Sequence, residues 1–507
     1  MTDAPHSDAT RRIRYAAYTL LIAVAVGNMT GRLMAVNSVD LVRLEAYRIN
    51  DALSETRREL ESEGVSGEQL ERRLEERRAE LEQKLRLQRP FLSSNDRSRW
   101  AAVRALVEHG TFAIDQIVAE PGWDTIDMVK HKDRSGTPHL YSSKPPLLTV
   151  LIAAEYWVVH QLTGVTLGTH PYELGRLMLF TINIIPLALM FVLVVQLAER
   201  FGETDWGKLF VVAAASLATM LNTFAVVLNN HIVAAVSAAV ALYTVVRIWC
   251  DDRPQRWHFV LCGLAAAFTA ANELPALALF AAIGAGLLWR FPRLTLAAFT
   301  PAALLVVAAF FATNYVAHDS LRPPYMHRSE IDQDDNWYEY TYVRDGRERQ
   351  SYWMDPAGID RGEPSRAWYA MNVLVGHHGI FSLTPVWLLS VAGLVGWLLS
   401  GDIKRRDLAL LIGSVSLVCL VFYLMRPQVD RNYGGMTSGF RWMYWFAPLW
   451  LVVMLPAADW LSRRRWARGL GLVLLAWSVM SVSYPTWNPW THPWLTNLFI
   501  YLRWESF

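Results

Sequence analysis

Two residues bounding a polar stretch near residue 100 carry side chains suited to moving a proton and holding an anion. Asp96 lies in Ser93-Ser94-Asn95-Asp96-Arg97-Ser98-Arg99-Trp100, and Lys144 in Tyr141-Ser142-Ser143-Lys144-Pro145-Pro146. A carboxylate can accept a proton from an attacking hydroxyl or amine. An ammonium can offset the charge of a departing phosphate. The spacing of Trp100, Val103, Ala105, Leu106 and Val107 predicts a short amphipathic helix lying on a membrane surface, with Asp96 just ahead of it. Lys144 stands just ahead of an apolar run, so both residues belong near the outer boundary of a bilayer. Each has an ordinary alternative: Asp96 as the cap of that helix, Lys144 as a snorkelling anchor.

Other polar residues interrupt apolar stretches, where they are costly unless they face a cavity or a partner. Asn229, Asn230 and His231 do so, and so does Asn272-Glu273 at an expected outer turn. Glu273 reads equally as a ligand-facing group and as a structural hydrogen-bonding group. His377-His378-Gly379 precedes another apolar run. Adjacent histidines on a helix cannot face one metal, so no zinc site is assigned. His378 instead suits hydrogen bonding to a phosphate or sugar, with a plain interfacial turn as the alternative. In Asp430-Arg431-Asn432-Tyr433-Gly434-Gly435 the glycines permit close backbone approach. Arg441 then opens a span from the side where cations are under-represented, and its guanidinium suits bidentate phosphate contact. No cofactor is required by these residues. Asp332, Asp334 and Asp335 supply oxygen ligands that suit a divalent cation, or form a solvated acidic loop.

The elements that must position these groups are membrane helices. Of 507 residues, 53% are hydrophobic. Apolar runs recur at 14–30, 177–197, 232–248, 294–316, 382–399, 407–425 and 442–460, each near the ~20 residues a span needs. The fold class expected is an all-α polytopic membrane protein of about 11–13 transmembrane helices, with an outer-face loop bearing amphipathic surface helices. A net charge of +2 excludes nucleic-acid binding by the chain as a whole. Cys250, Cys262 and Cys419 form no CxxC and imply no disulfide framework. The first run follows Arg11, Arg12 and Arg14 without a small-residue cleavage site, and reads as an uncleaved span.

The bias of Lys and Arg puts Arg11, Arg12, Arg14, Arg253, Arg256, Arg290, Arg293, Lys404, Arg405, Arg406, Arg463, Arg464 and Arg465 in the cytoplasm. Outside remain 31–146, 317–380, 426–440 and the tail after 484. This leaves a parity problem. Three apolar runs, 147–163, 175–197 and 209–227, separate two outer segments that require an even number of crossings. The run 147–163, with Glu155, Tyr156 and His160, is the weakest of them. The expected division is an N-terminal tail and first helix (1–35), a first outer loop (36–146), a transmembrane bundle (147–316), an outer loop (317–380), C-terminal helices (381–484) and an outer aromatic tail (485–507). Within the first loop, 42–89 reads as a charged helical hairpin broken at Gly64-Val65-Ser66-Gly67. Its apolar seam is Leu70, Leu74, Leu81 and Leu85. It is a solvated spacer or a docking arm for a protein partner.

Taken together, an acidic residue ahead of Arg99-Trp100-Ala101, then Gly110-Thr111-Phe112, then Tyr141-x-x-Lys144-Pro145-Pro146-Leu147 before an apolar run resemble the GT-C glycosyltransferases. The similarity is greatest to the branch holding protein O-mannosyltransferases and the aminoarabinose transferase of lipid A, and covers mainly 90–200. The resemblance implies a GT-C-like bundle. It also implies transfer of a sugar from a polyprenyl-phosphate carrier to a lipid, glycan or protein acceptor, on the outer face of a bacterial-type inner or plasma membrane. It makes Asp96 the catalytic carboxylate and Lys144 the contact to the carrier phosphate. Arg441, Asn230, His231, His378 and Glu273 are the further candidates for binding substrate or carrier phosphate. The sequence departs from the family in two places. Arg97 stands where Glu is usual, and Asn230 or His231 stands where a second carboxylate often lies. The rival reading is a transporter or flippase of lipid-linked sugars. That function needs intramembrane polar groups but no carboxylate ahead of a surface helix. There is neither an inverted repeat nor a P-loop.

Overall fold

Long runs of Leu, Val, Ala and Phe become helices because a bilayer leaves backbone amides no partner outside their own segment. A computed structural model describes residues 4–35, 41–84, 90–251, 254–329, 331–332, 334–344 and 346–504. Arg253 and Leu85 lie outside the described residues. Eight described helices are long and apolar enough to cross a membrane. They are α1 (Ala4–Ala35), α6 (Pro171–Phe201), α7 (Asp205–Phe224), α8 (Asn230–Trp249), α11 (Pro292–His318), α13 (Ile403–Leu424), α14 (Arg441–Ser462) and α15 (Arg465–Ser483). Two shorter apolar helices join them, α10 (Leu274–Arg290) and α12 (Trp387–Leu398). Helix α9 (Arg256–Asn272) is a further member, packed against α8 and α11. The chain is therefore an all-α polytopic membrane protein. The expected span 382–399 is interrupted at Thr384-Pro385-Val386, and α12 starts only at Trp387. A proline there lacks the amide that would continue the helix.

Arg14, Arg200, Arg247, Lys404 and Arg405 gather at one end of the bundle. Arg14 of α1 pairs with Glu199 (2.6 Å) at the end of α6 and with Asp205 at the start of α7. Arg405 of α13 reaches Glu203 (3.0 Å), and Lys404 Nζ donates to the Cys250 carbonyl (2.6 Å) after α8. Arg200 and Arg247 share Asp251 at 3.0 and 2.6 Å. Asp459, near the end of α14, accepts from the Glu203 and Thr204 amides at 2.9 and 2.8 Å. The opposite end carries the polar loops. There Asn183 donates to the carbonyls of Ala225 and Val227, and Arg32 donates to those of Asn222 and Pro485.

Helix α5 (Pro146–Thr163) resolves the parity problem. Its N-terminus follows Lys144, which pairs with Asp127 of the first loop. After α5 the chain is still at that loop: the Leu167 amide donates to Tyr156 (2.7 Å), and the Gly168 amide to Glu108 (3.3 Å). Both ends of α5 thus rest on the polar end of the molecule, and α6 and α7 supply the even pair of crossings. Among the described residues, the eight long helices together with α9, α10 and α12 then alternate in direction along the chain.

In the first loop, α2 (Leu41–Ser62) and α3 (Glu68–Lys84) form the expected hairpin. Its seam closes Ile49, Leu53 and Leu60 against Leu70, Leu74 and Leu81. Helix α4 (Ser94–Arg104) differs from expectation, because every residue from Asn95 to Arg104 is buried. It lies inside the molecule rather than on a membrane surface. The hairpin of β1 (Met128–Lys132) and β2 (Pro138–Ser142) and helix α5 enclose it. In the loop 317–380, a second hairpin joins β3 (Thr341–Arg344) to β4 (Arg347–Gln350).

Candidate functional site

A cavity of about 580 Å³ opens at the polar end. It lies between the β1–β2 hairpin, the N-terminus of α8, the C-terminus of α9 and the start of α14. The hairpin builds its first wall. In the β1–β2 register Met128 faces Ser142, and the Ser143 amide donates to the Asp127 carbonyl at 3.2 Å. The two strand ends therefore bring Asp127 and Lys144 side by side, Nζ to Oδ1 at 3.0 Å. Burial opposes charge on both. Lys144, with Arg441 and Arg99 adding to it, still holds the Asp127 carboxyl below the usual carboxylate range. Burial pushes Lys144 down to about 8, with Asp127 pulling the other way.

The second wall is built on Glu273, which follows the last turn of α9 and is buried. One Glu273 oxygen takes a hydrogen bond from Asn230 Nδ2 at 2.8 Å and contacts His231 Nδ1. On the far side of these residues stand two guanidinium groups. Arg99 Nη2 donates to Asn230 Oδ1 at 2.6 Å. Arg441 Nη1 donates to His231 Nε2 at 3.1 Å, and its Nε to the Gly434 carbonyl at 2.6 Å. A guanidinium can only donate, so His231 Nε2 accepts and Nδ1 carries the proton toward Glu273. Arg441 also lies over the Trp490 ring at 4.8 Å, which brings the C-terminal tail into the cavity wall. Among the described residues, neither Arg99 nor Arg441 has a carboxylate within ion-pair distance, and Arg99 Nε is buried without a partner. Burial, with Arg441 nearby, lowers Arg99 to about 10, which leaves it charged near neutrality.

Lys144, Arg441, Asn230, His231 and Glu273 are thus brought together as cavity-lining residues. Asp96 is not among the lining residues. Ser93 caps α4, accepting from the Asp96 amide at 3.1 Å, and Asp96 sits in the first turn. Its carboxylate accepts from the amides of Leu228 (2.9 Å) and Leu92 (3.3 Å), clamping the approach to α8 onto α4. Burial raises it to about 7 against the pull of those amides. His378 is also out of the cavity. It is fully buried against His377 and the Tyr433 ring. Asp335 already holds Arg322 at 2.7 Å and His327 at 2.8 Å. Among the described residues no group of three His, Cys, Asp or Glu is arranged to hold a metal ion.

The lining groups that the sequence did not single out include Asp127, Arg99 and Asp360. Asp360 accepts from Tyr352 (3.0 Å) and Asn432 (3.0 Å), and burial raises its carboxyl. For Asp127 a signal did exist. Lys132-Asp133-Arg134-Ser135-Gly136-Thr137 is turn chemistry between two short β-prone runs. Folding the chain there sets Asp127 opposite Ser143.

Neither a protein-family model nor a curated protein matches the chain. Among solved structures, it is similar to the crystal structure of the Archaeoglobus fulgidus oligosaccharyltransferase in the apo form. That likeness has 11% identity, covers 78% of this chain and 52% of that one, and has a TM-score of 0.37. The chain thus spans about half the length of that structure, and at this TM-score the likeness carries no argument.

Proposed function

We propose that this protein is a membrane glycosyltransferase of the GT-C type that takes a sugar from a polyprenyl-phosphate carrier, on the side of the membrane away from its basic end. The observation that carries this reading is the pair Arg99 and Arg441. They are two guanidinium groups on one cavity wall, Arg99 buried and Arg441 half-buried, partnered only by neutral groups, and beside them lies the Asp127–Lys144 pair. A buried cation without a counter-charge is costly, so such a wall suits an anionic ligand that completes it. Leu274 and Phe422, both partly exposed apolar side chains, line the same cavity. An apolar flank of this kind suits a carrier whose hydrocarbon chain stays in the bilayer.

In the reaction proposed, the acceptor hydroxyl or amine gives its proton to the Asp127 carboxylate and attacks the anomeric carbon. The bond from that carbon to the phosphate oxygen breaks, and its electron pair leaves with the carrier phosphate. Arg99 and Arg441 hold that charge, with Lys144 supporting them. Asp127 takes the role that the motif resemblance gives to Asp96, because Asp127 lines the cavity and Asp96 does not. The acceptor is a lipid, glycan or protein, as the resemblance implies.

Purified protein, given a polyprenyl-phosphate sugar labelled in the sugar, should move the label to an acceptor fraction and release polyprenyl phosphate. Movement of intact donor across a vesicle bilayer, without cleavage of the sugar–phosphate bond, would establish the transporter reading instead.

A further inference from the structure

The His377-His378 pair and the Asn432-Tyr433-Gly434-Gly435 turn meet behind the cavity wall. Tyr433, Gly434 and Gly435 all have left-handed backbones, with φ of 59°, 97° and 83°. Glycine adopts that region freely, whereas a bulky residue such as tyrosine does so at a cost. Packing around the Tyr433 ring offsets that cost. The His378 ring stacks on it at 4.5 Å and 13°, and the His377 ring meets it edge-on at 5.1 Å. Tyr369 closes a third side at 5.1 Å. The turn so held aims the Gly434 carbonyl at Arg441, which donates to it from Nε at 2.6 Å. Glycine is required next to that contact, since a Cβ at Gly434 would run into the Arg441 side chain. Strained backbone of this kind gathers at functional sites and persists only when its surroundings over-determine it.

We propose that His378 is a positioning residue: its stack on Tyr433 locks the left-handed turn whose Gly434 carbonyl fixes the Arg441 guanidinium at the cavity wall. The inference rests on the reading of Arg441 as a ligand of the carrier phosphate. His378 acts through Arg441 and never touches the carrier. Burial holds its imidazole well below the ordinary range, so the stacking ring is neutral at physiological pH. A planar neutral ring should therefore serve in its place.

The test is binding of polyprenyl monophosphate to the purified full chain in lipid nanodiscs, for wild type, Arg441→Ala, His378→Ala, His378→Phe and the His378→Ala/Arg441→Ala double variant. Arg441→Ala should weaken binding by ~10–100-fold, the range for one charge-assisted phosphate contact. His378→Ala should weaken it by about tenfold, His378→Phe should restore it to within about threefold, and the double variant should bind no worse than Arg441→Ala alone, since the two act on one interaction. His378→Leu, which fills the volume without a planar face, replaces His378→Ala if the latter does not purify. Wild-type affinity in the non-aromatic variant, or losses that add in the double variant, would overturn the proposal. Wild-type affinity in Arg441→Ala would sink the anion-site reading together with it, so the two failures are distinguishable.

Discussion

Arg99 and Arg441 at the cavity are partnered differently from the arginines at the basic end of this bundle, and differently from Arg328 and Arg426, which line the same cavity and pair with Asp430. At the basic end Arg14, Arg200, Arg247 and Arg405 each meet a carboxylate directly, at Glu199, Asp251 and Glu203 among others. At the cavity end Arg99 and Arg441 meet an asparagine, a histidine and a backbone carbonyl. The first arrangement is electrostatically closed, so it fixes helix ends and leaves nothing to offer a ligand. The second keeps two positive charges poised through neutral relays, with Glu273 behind them at one remove. A counter-ion behind a relay lowers the cost of burying a guanidinium without using up its outward-facing donors. An anion arriving in the cavity therefore finds charge and hydrogen bonds that are still available.

The contrast predicts a ranked set of effects. Removing both guanidinium groups, as Arg99→Ala/Arg441→Ala, should abolish measurable carrier binding, since each single loss is expected to cost ~10–100-fold. Retained binding in the double variant would place the anion elsewhere. Next comes pH. Lys144 loses its proton near pH 8, so donor affinity should fall by up to about tenfold as the pH rises through that value. Stability should move the other way. A lysine whose folded-state value is depressed binds fewer protons folded than unfolded between about 8 and its ordinary value near 10.4, so this group favours folding as the pH rises there. Donor affinity unchanged as the pH rises through about 8 would mean that Lys144 takes no part in holding the phosphate. Smallest is the change at the basic end. Arg405→Ala breaks a partly exposed pair and should alter melting by no more than ~1 kcal/mol and binding not at all. A binding loss there would erase the distinction between the two ends.

Much of the bundle was legible because membrane spans announce themselves by length and composition. The basic clusters gave an expected orientation, and the structure places Arg14, Arg200, Arg247, Lys404 and Arg405 at one end. Helix α4 was not legible. Asn95, Asp96, Arg97, Ser98 and Arg99 look like a water-facing turn, yet all are buried, because Arg97 donates to the carbonyls of Asp124 and Phe91 and Ser98 to that of Asp127. Asp124 and Asp127 lie in the loop after α4 and Phe91 just before it, partners that local periodicity does not register. The site was half legible for the same reason. Asn230, His231 and Glu273 stand out as polar residues among apolar ones. Asp127 sits in an ordinary polar loop and gains its place only through the β1–β2 register. Asp96 was singled out by its motif, and that motif is equally well satisfied by a clamp on the Leu228 amide.

The most direct measurement compares initial rates of sugar transfer by Asp127→Asn and Asp96→Asn, each purified and matched to wild type in carrier binding. Asparagine at 127 keeps an oxygen for Lys144 but cannot take a proton, so transfer should fall by ~10²–10⁴-fold. Asparagine at 96 keeps an acceptor for the Leu228 amide, so transfer should stay within about threefold of wild type. It should also flatten the pH dependence of melting. Asp96 holds its proton up to about 7 when folded but only to about 4 when unfolded, so in wild type this group makes stability fall as the pH rises between those values. Near-normal transfer by Asp127→Asn, with loss confined to Asp96→Asn, would contradict the account and return the catalytic role to Asp96.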